Sequence, residues 1–254
     1  MDTIQYDLIE VYQNLFIVDI IDDYDLGMVF LRTQEYQESP YENINHSSFS
    51  IWELIKTYTL SSSKLTFDYM KWGGFNISKT VIESCSATIP EGDRNIYDVT
   101  MSNIYNEIQG TLTDKSEQWY IMGVKKFDTM TLKHEICHGF YTLDSTYKAS
   151  ADNIIQTIPP KLYDKMEKVL VSEMYGLNVI NDEIQAYLST DPESLNNMKL
   201  NNSQKAKYVE IKRKFQSLYK TYIEPKLSTL PEPRFKNRKD NRRYKRKLRQ
   251  LKLI

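Results

Sequence analysis

Residues 127–143 read Phe-Asp-Thr-Met-Thr-Leu-Lys-His-Glu-Ile-Cys-His-Gly-Phe-Tyr-Thr-Leu, and their apolar spacing predicts a helix with His134, Glu135 and His138 at its middle. Side chains four apart lie one above the other on a helix, so both imidazoles can reach a single ion. The glutamate beside the first projects toward the same edge, where a water on that ion would sit. This is the H-E-x-x-H pattern, whose residue types suit zinc with an adjacent carboxylate base.

A zinc ion that does chemistry takes three protein ligands and keeps one position for water. A third histidine shortly after the motif is excluded, because residues 139–144 are Gly-Phe-Tyr-Thr-Leu-Asp and no histidine follows. The remaining histidine, His46, lies in the turn-like stretch Asn43-Ile44-Asn45-His46-Ser47 and reads as a surface residue. The third ligand is therefore expected to be a carboxylate. Cys137, three residues after His134, is expected to pack as a small hydrophobe instead of binding metal.

Around the motif the chain reads as a mixed half followed by a helical half. Leu15–Ile21 and Gly27–Arg32 are short apolar runs that suit buried strands. Ser50 and Glu53 have capping-box spacing, which predicts a helix through Leu54, Ile55 and Tyr58. Lys64–Tyr69 reads as a further strand ended by Gly73-Gly74, and helices are expected near Ile77–Cys85 and Ile96–Ile108. Glu117–Val124 alternates large residues like a strand with both faces covered, and no later strand is expected. Pro159-Pro160 should start a helix that ends at Gly176, after which Asn181 or Asp182 caps a short helix limited by Pro192.

The stretch 117–190, with its strand, motif helix, connecting helical region and short helix Asp182-Glu183-Ile184-Gln185-Ala186-Tyr187, resembles the gluzincin group of zinc metallopeptidases. In that group H-E-x-x-H is completed by a glutamate from a following helix. The resemblance implies Glu183 as third ligand to Zn2+, with Asp182 and Asp144 in reserve. The interval from His138 to Glu183 is similar to that of the anthrax lethal factor branch, where alanine likewise stands three residues after the ligand, as Ala186 does here. It further implies metal-activated water as nucleophile, Glu135 as general base, and a peptide or protein substrate paired to the edge of the strand Trp119–Val124. In the lethal factor branch a tyrosine shortly before the ligand assists the oxyanion, a role that would fall to Tyr175. Where thermolysin-like enzymes carry an aspartate four residues beyond the ligand to orient a histidine, this chain has Tyr187, whose phenol either takes that role or packs, with packing the expectation.

The fold expected is α+β and zincin-like: a small mixed sheet with an active-site helix, then a mostly helical C-terminal half. With no repeat and no low-complexity linker, residues 1–230 are expected to form a single domain, with a mixed part at 1–116, a metal-site core at 117–190 and a helical extension at 191–230. Residues 231–254 form a basic tail with 11 Lys or Arg against 2 acids, leaving 22 against 32 for residues 1–230. Such a tail attracts polyanions, nucleic acid included, and a non-catalytic viral or phage binding protein working through it is the alternative to an enzyme. Tyr, Lys, Asn and Ile are frequent and Gly is scarce, a bias similar to that of AT-rich genomes. No run approaches the roughly 18 apolar residues of a membrane span, and the N-terminus carries Asp2, Asp7 and Glu10 where a secretory signal carries Lys or Arg. With only two cysteines, Cys85 and Cys137, the expected location is a reducing cytoplasm.

Overall fold

The computed structural model describes residues 4–61, 73–125, 129–173, 175–190, 195 and 198–227. Four strands, β1 (Asp7–Tyr12), β2 (Leu15–Asp19), β3 (Gly74–Ser78) and β4 (Tyr120–Val124), form one mixed sheet in the order β1-β2-β4-β3. β2 runs parallel to β4, with Phe16 opposite Ile121, and β3 runs antiparallel to it, with Asn76 opposite Met122. All five residues of β4 are buried, which explains why its sequence shows no polar face. β4 is therefore an interior strand. The expectation that Trp119–Val124 offers a free edge to a peptide is corrected, because its hydrogen-bonding groups are taken by β2 on one side and β3 on the other.

The chain divides into two compact units, residues 1–9 with 14–126, and residues 10–13 with 127–254. The first carries β2, β3 and β4 with helices α1 (Asp23–Glu38), α2 (Ile51–Ser61), α3 (Lys79–Thr88) and α4 (Ile96–Thr111). Gly27–Arg32, expected as a strand, lies inside α1. The side chain of Asp22 accepts from the amides of Tyr24 and Asp25 and so starts the helix. Buried residues on nearly every side of α1 remove the polar stripe that would have betrayed a helical period. The Ser50–Glu53 box forms as read: Ser50 N donates to Glu53 Oε2 at 2.6 Å, and Glu53 N donates to Ser50 Oγ at 3.1 Å. The helices expected near 77–85 and 96–108 correspond to α3 and α4. The expected strand at 64–69 and the tail at 231–254 lie outside the described residues.

α1 crosses β4 at Gly123. A β-carbon there would stand 2.8 Å from both Leu26 Cδ1 and Phe30 Cε2, and these two side chains are themselves fully buried. Gly123→Ala is accordingly expected to lower stability by about 1–3 kcal/mol through overpacking, read as a lower urea midpoint at unchanged slope.

Among its described residues the second unit is helical apart from the end of β1: α5 (Thr129–Leu143), α6 (Ser145–Gln156), α7 (Pro160–Ser172), α8 (Ile180–Thr190), α9 (Asn202–Leu218) and α10 (Glu224–Leu227). α5 packs against α6 and α8, and α8 against α9. Pro160 opens α7 as predicted, but the helix ends at Ser172 with Glu173 as its C-cap. Gly176 instead precedes a 3-10 turn, Leu177–Val179, that leads directly into α8. Neither Asn181 nor Asp182 caps α8 for that reason; both fall in its first turn, and the carboxylate of Asp182 is engaged elsewhere. Among the described residues the chain is a mixed α+β structure with a small sheet and mostly helix, and no helix is long and apolar enough to cross a membrane.

Candidate metal centre

α5 is amphipathic in an unusual sense: Leu132, Ile136, Cys137 and Phe140 are buried, and so are the polar motif residues between them. His134 is 9% exposed, Glu135 5% and His138 2%. α8 approaches this helix with Ile184, Ala186 and Leu188 wholly buried, and the small side chain of Ala186 permits close packing. The approach delivers Glu183, 3% exposed, to the imidazole pair.

The three side chains converge. His134 Nε2 and His138 Nε2 are 3.0 Å apart, Glu183 Oε2 is 3.5 Å from the first, and Glu183 Oε1 is 3.6 Å from the second. Ligand atoms at ~2.1 Å from a tetrahedral zinc stand roughly 3.4 Å from one another, a separation that these contacts approach, each imidazole meeting a different oxygen of Glu183. Among the described residues, His134, His138 and Glu183 are the one group of three or more potential ligands with donor atoms within 4.8 Å of one another.

The donor set also fits a cation on electrostatic grounds. Two imidazole nitrogens facing one another at 3.0 Å repel unless a proton or a metal lies between them. Glu183 Oε2 is buried and has no hydrogen-bond partner among the described residues, an arrangement that costs free energy unless a positive charge satisfies it. The nearby carboxylates tilt the balance further. Burial alone disfavours a charged His138, but Asp182 and then Glu183 and Glu135 outweigh it and hold the imidazole well above its ordinary pKa. The same negative charge would stabilise any cation held between the two imidazoles, a proton or a metal ion alike.

His138 Nδ1 lies 2.8 Å from Asp182 Oδ1, so Asp182, a reserve ligand by sequence, instead touches the nitrogen of His138 that faces away from the triangle. Asp144 is likewise committed elsewhere. It caps α6 through the amides of Thr146 and Tyr147 and accepts from Tyr222 Oη and Lys226 Nζ. Cys137 is fully buried and stands outside the donor triangle; burial pushes its thiol far above the usual range, which suits packing and not ligation.

Tyr187 packs its ring 4.5 Å from that of His134, centroid to centroid, and its hydroxyl shares a 2.8 Å hydrogen bond with the hydroxyl of Tyr175. Burial first, and then the charge of Glu183, raise the Tyr187 phenol. Tyr175 itself is half-buried in the segment between α7 and α8, one tyrosine removed from the imidazoles. His46 is exposed in a turn of the first unit at a φ of 52° and takes no part.

No protein-family model matches the chain. No curated protein and no solved structure matches it either.

Proposed function

We propose that this chain is a zinc-dependent hydrolase, a metallopeptidase of zincin-like architecture and gluzincin ligand pattern, acting on a peptide or protein substrate. The observation that carries the reading is the convergence of Glu183, from α8, on the His134–His138 pair of α5 at spacings a zinc ion would set. The mixed sheet leading into the motif helix and the helical second half are in keeping with it. So is a cytoplasmic setting, since Cys85 and Cys137 are both free and buried.

His134, His138 and Glu183 would hold the ion. When bound, zinc supplies a coordinated water of lowered pKa and a Lewis acid for the scissile carbonyl. The remaining steps belong to the chain. Glu135, buried beside His134, takes a proton from the attacking water and returns it to the leaving amine, so that water is consumed and an acid and an amine are released. The Tyr187 ring packs on His134 and its hydroxyl is bonded to that of Tyr175, and Tyr175 is the donor assigned to the developing oxyanion.

The test is metal content followed by turnover. Purified protein dialysed against trace zinc is expected to carry one zinc per chain by mass spectrometry of the metal. His134→Ala and Glu183→Ala should each lose it, and hydrolysis of a mixed peptide substrate should disappear with a chelator and return with added zinc. A wild-type chain without stoichiometric metal, or equal metal content in the three proteins, overturns the reading.

A further inference from the structure

We propose that Asp182, Gln185 and Tyr147 form a positioning chain that fixes the ring of His138 and thereby sets the affinity of the metal centre. The proposal rests on the metal reading above but concerns residues that bind no metal. Three links define it: His138 Nδ1 to Asp182 Oδ1 at 2.8 Å, Gln185 Nε2 to the same oxygen at 2.9 Å, and Tyr147 Oη to Gln185 Oε1 at 2.7 Å. Tyr147 and Gln185 are completely buried.

The chemistry of these groups leaves one pattern of protons. An ionised carboxylate only accepts, so both His138 Nδ1 and the Gln185 amide must donate to Asp182. With the amide NH2 turned to Asp182, its carbonyl faces Tyr147, whose hydroxyl then donates. Every proton in the chain has an assigned place as a result. The proton on His138 Nδ1 is therefore the one held in place, and a cation would displace only a proton on Nε2, leaving the lone pair of Nε2 toward Glu183 and His134, the tautomer that a metal ligand needs.

The spacing on α8 makes this possible. Asp182 and Glu183 are adjacent, yet they reach opposite nitrogens of one imidazole, with Glu183 Oε1 at 3.6 Å from Nε2. Gln185, three residues after Asp182, lies on the same helical face and steadies the carboxylate from behind. Tyr147 brings in α6, so three helices share one line of hydrogen bonds. His134 has no equivalent: its Nδ1 is buried without a partner among the described residues, and the Tyr187 ring packs against it. One histidine is thus held by charge and the other by packing.

The test is a double-mutant cycle on zinc affinity, read by competition with a chromophoric chelator, together with the imidazole N–H proton resonances of the zinc-free protein. Asp182→Ala is expected to weaken zinc by about 10–100-fold, and Tyr147→Phe, which removes a single hydroxyl, by about tenfold. In the Asp182→Ala background Tyr147→Phe should add nothing, because the line it acts through is already cut. The His138 Nδ1–H resonance should be sharp in wild type, shifted in Tyr147→Phe and lost in Asp182→Ala. An equal loss of affinity from Tyr147→Phe in both backgrounds, or a resonance unmoved by it, overturns the chain. If wild type binds no zinc, the metal reading fails by itself and the resonances alone decide: shifted and lost as stated, they sustain the positioning of His138, and otherwise they overturn it.

Discussion

Replacing Glu135 by glutamine is expected to leave one zinc per chain in place and to lower peptide hydrolysis by about 10²–10⁴-fold, the range that a positioned general base contributes. The substitution keeps the size of the side chain and removes only its capacity to take a proton. Metal content should survive because Glu135 is not one of the three converging ligands. The opposite pattern is expected for Glu183→Ala, which should lose metal and turnover together. Measuring zinc and kcat/KM on the same preparations separates the two roles. Undiminished zinc with undiminished hydrolysis in Glu135→Gln would remove this residue from the reaction. Stoichiometric zinc with no hydrolysis in any form would shift the reading to a metal-stabilised binding protein working through residues 231–254.

The largest effect on stability is expected from Arg32→Met in the first unit. Arg32 is buried in α1, and all three of its guanidinium nitrogens donate. Nε and Nη2 donate to the two oxygens of Asp98 at 2.9 and 3.1 Å, Nη1 to the Phe49 carbonyl at 2.7 Å, and Nη2 also to Asp93 at 2.8 Å. Burial opposes its charge, but the two aspartates more than compensate, and its pKa is raised. Asp98 meanwhile completes the capping box of α4 by accepting from the Asn95 amide. Methionine would fill much of the volume and strand the buried carboxylate of Asp98 without its cation, a loss of about 3–5 kcal/mol. Urea unfolding of Arg32→Met, with Arg32→Met/Asp98→Asn as the companion, checks this. The double variant should recover part of the loss, because the uncompensated charge is then gone. A single variant within about 0.5 kcal/mol of wild type would mean that the pair contributes nothing to this fold.

Much of the local structure was legible because its causes are local. The Ser50–Glu53 box, the proline that opens α7 and the strand at Tyr120–Val124 each depend on neighbours a few residues away. Gly27–Arg32 was misread for the converse reason. Its side chains are buried in most directions, so neither the alternation of a strand nor the stripe of a helix reached the sequence. The paired state of β4 was equally hidden, since a strand with covered faces reads the same whether or not its edges are bonded.

At the candidate site the order of residues is enough to name the chemistry available: two imidazoles four apart, a carboxylate beside the first, and no further histidine to complete the set. Helical geometry makes that inference, because the spacing fixes which groups share a face. Which acid completes the triangle and which serves another end depends on how the helices meet. Asp182 and Glu183 are neighbours of like charge, and nothing in their order shows that one meets Nδ1 and the other approaches Nε2 of the same ring. That division is set by the rotation and approach of α8 against α5, a packing between helices some forty residues apart in the chain that no local run of residues encodes.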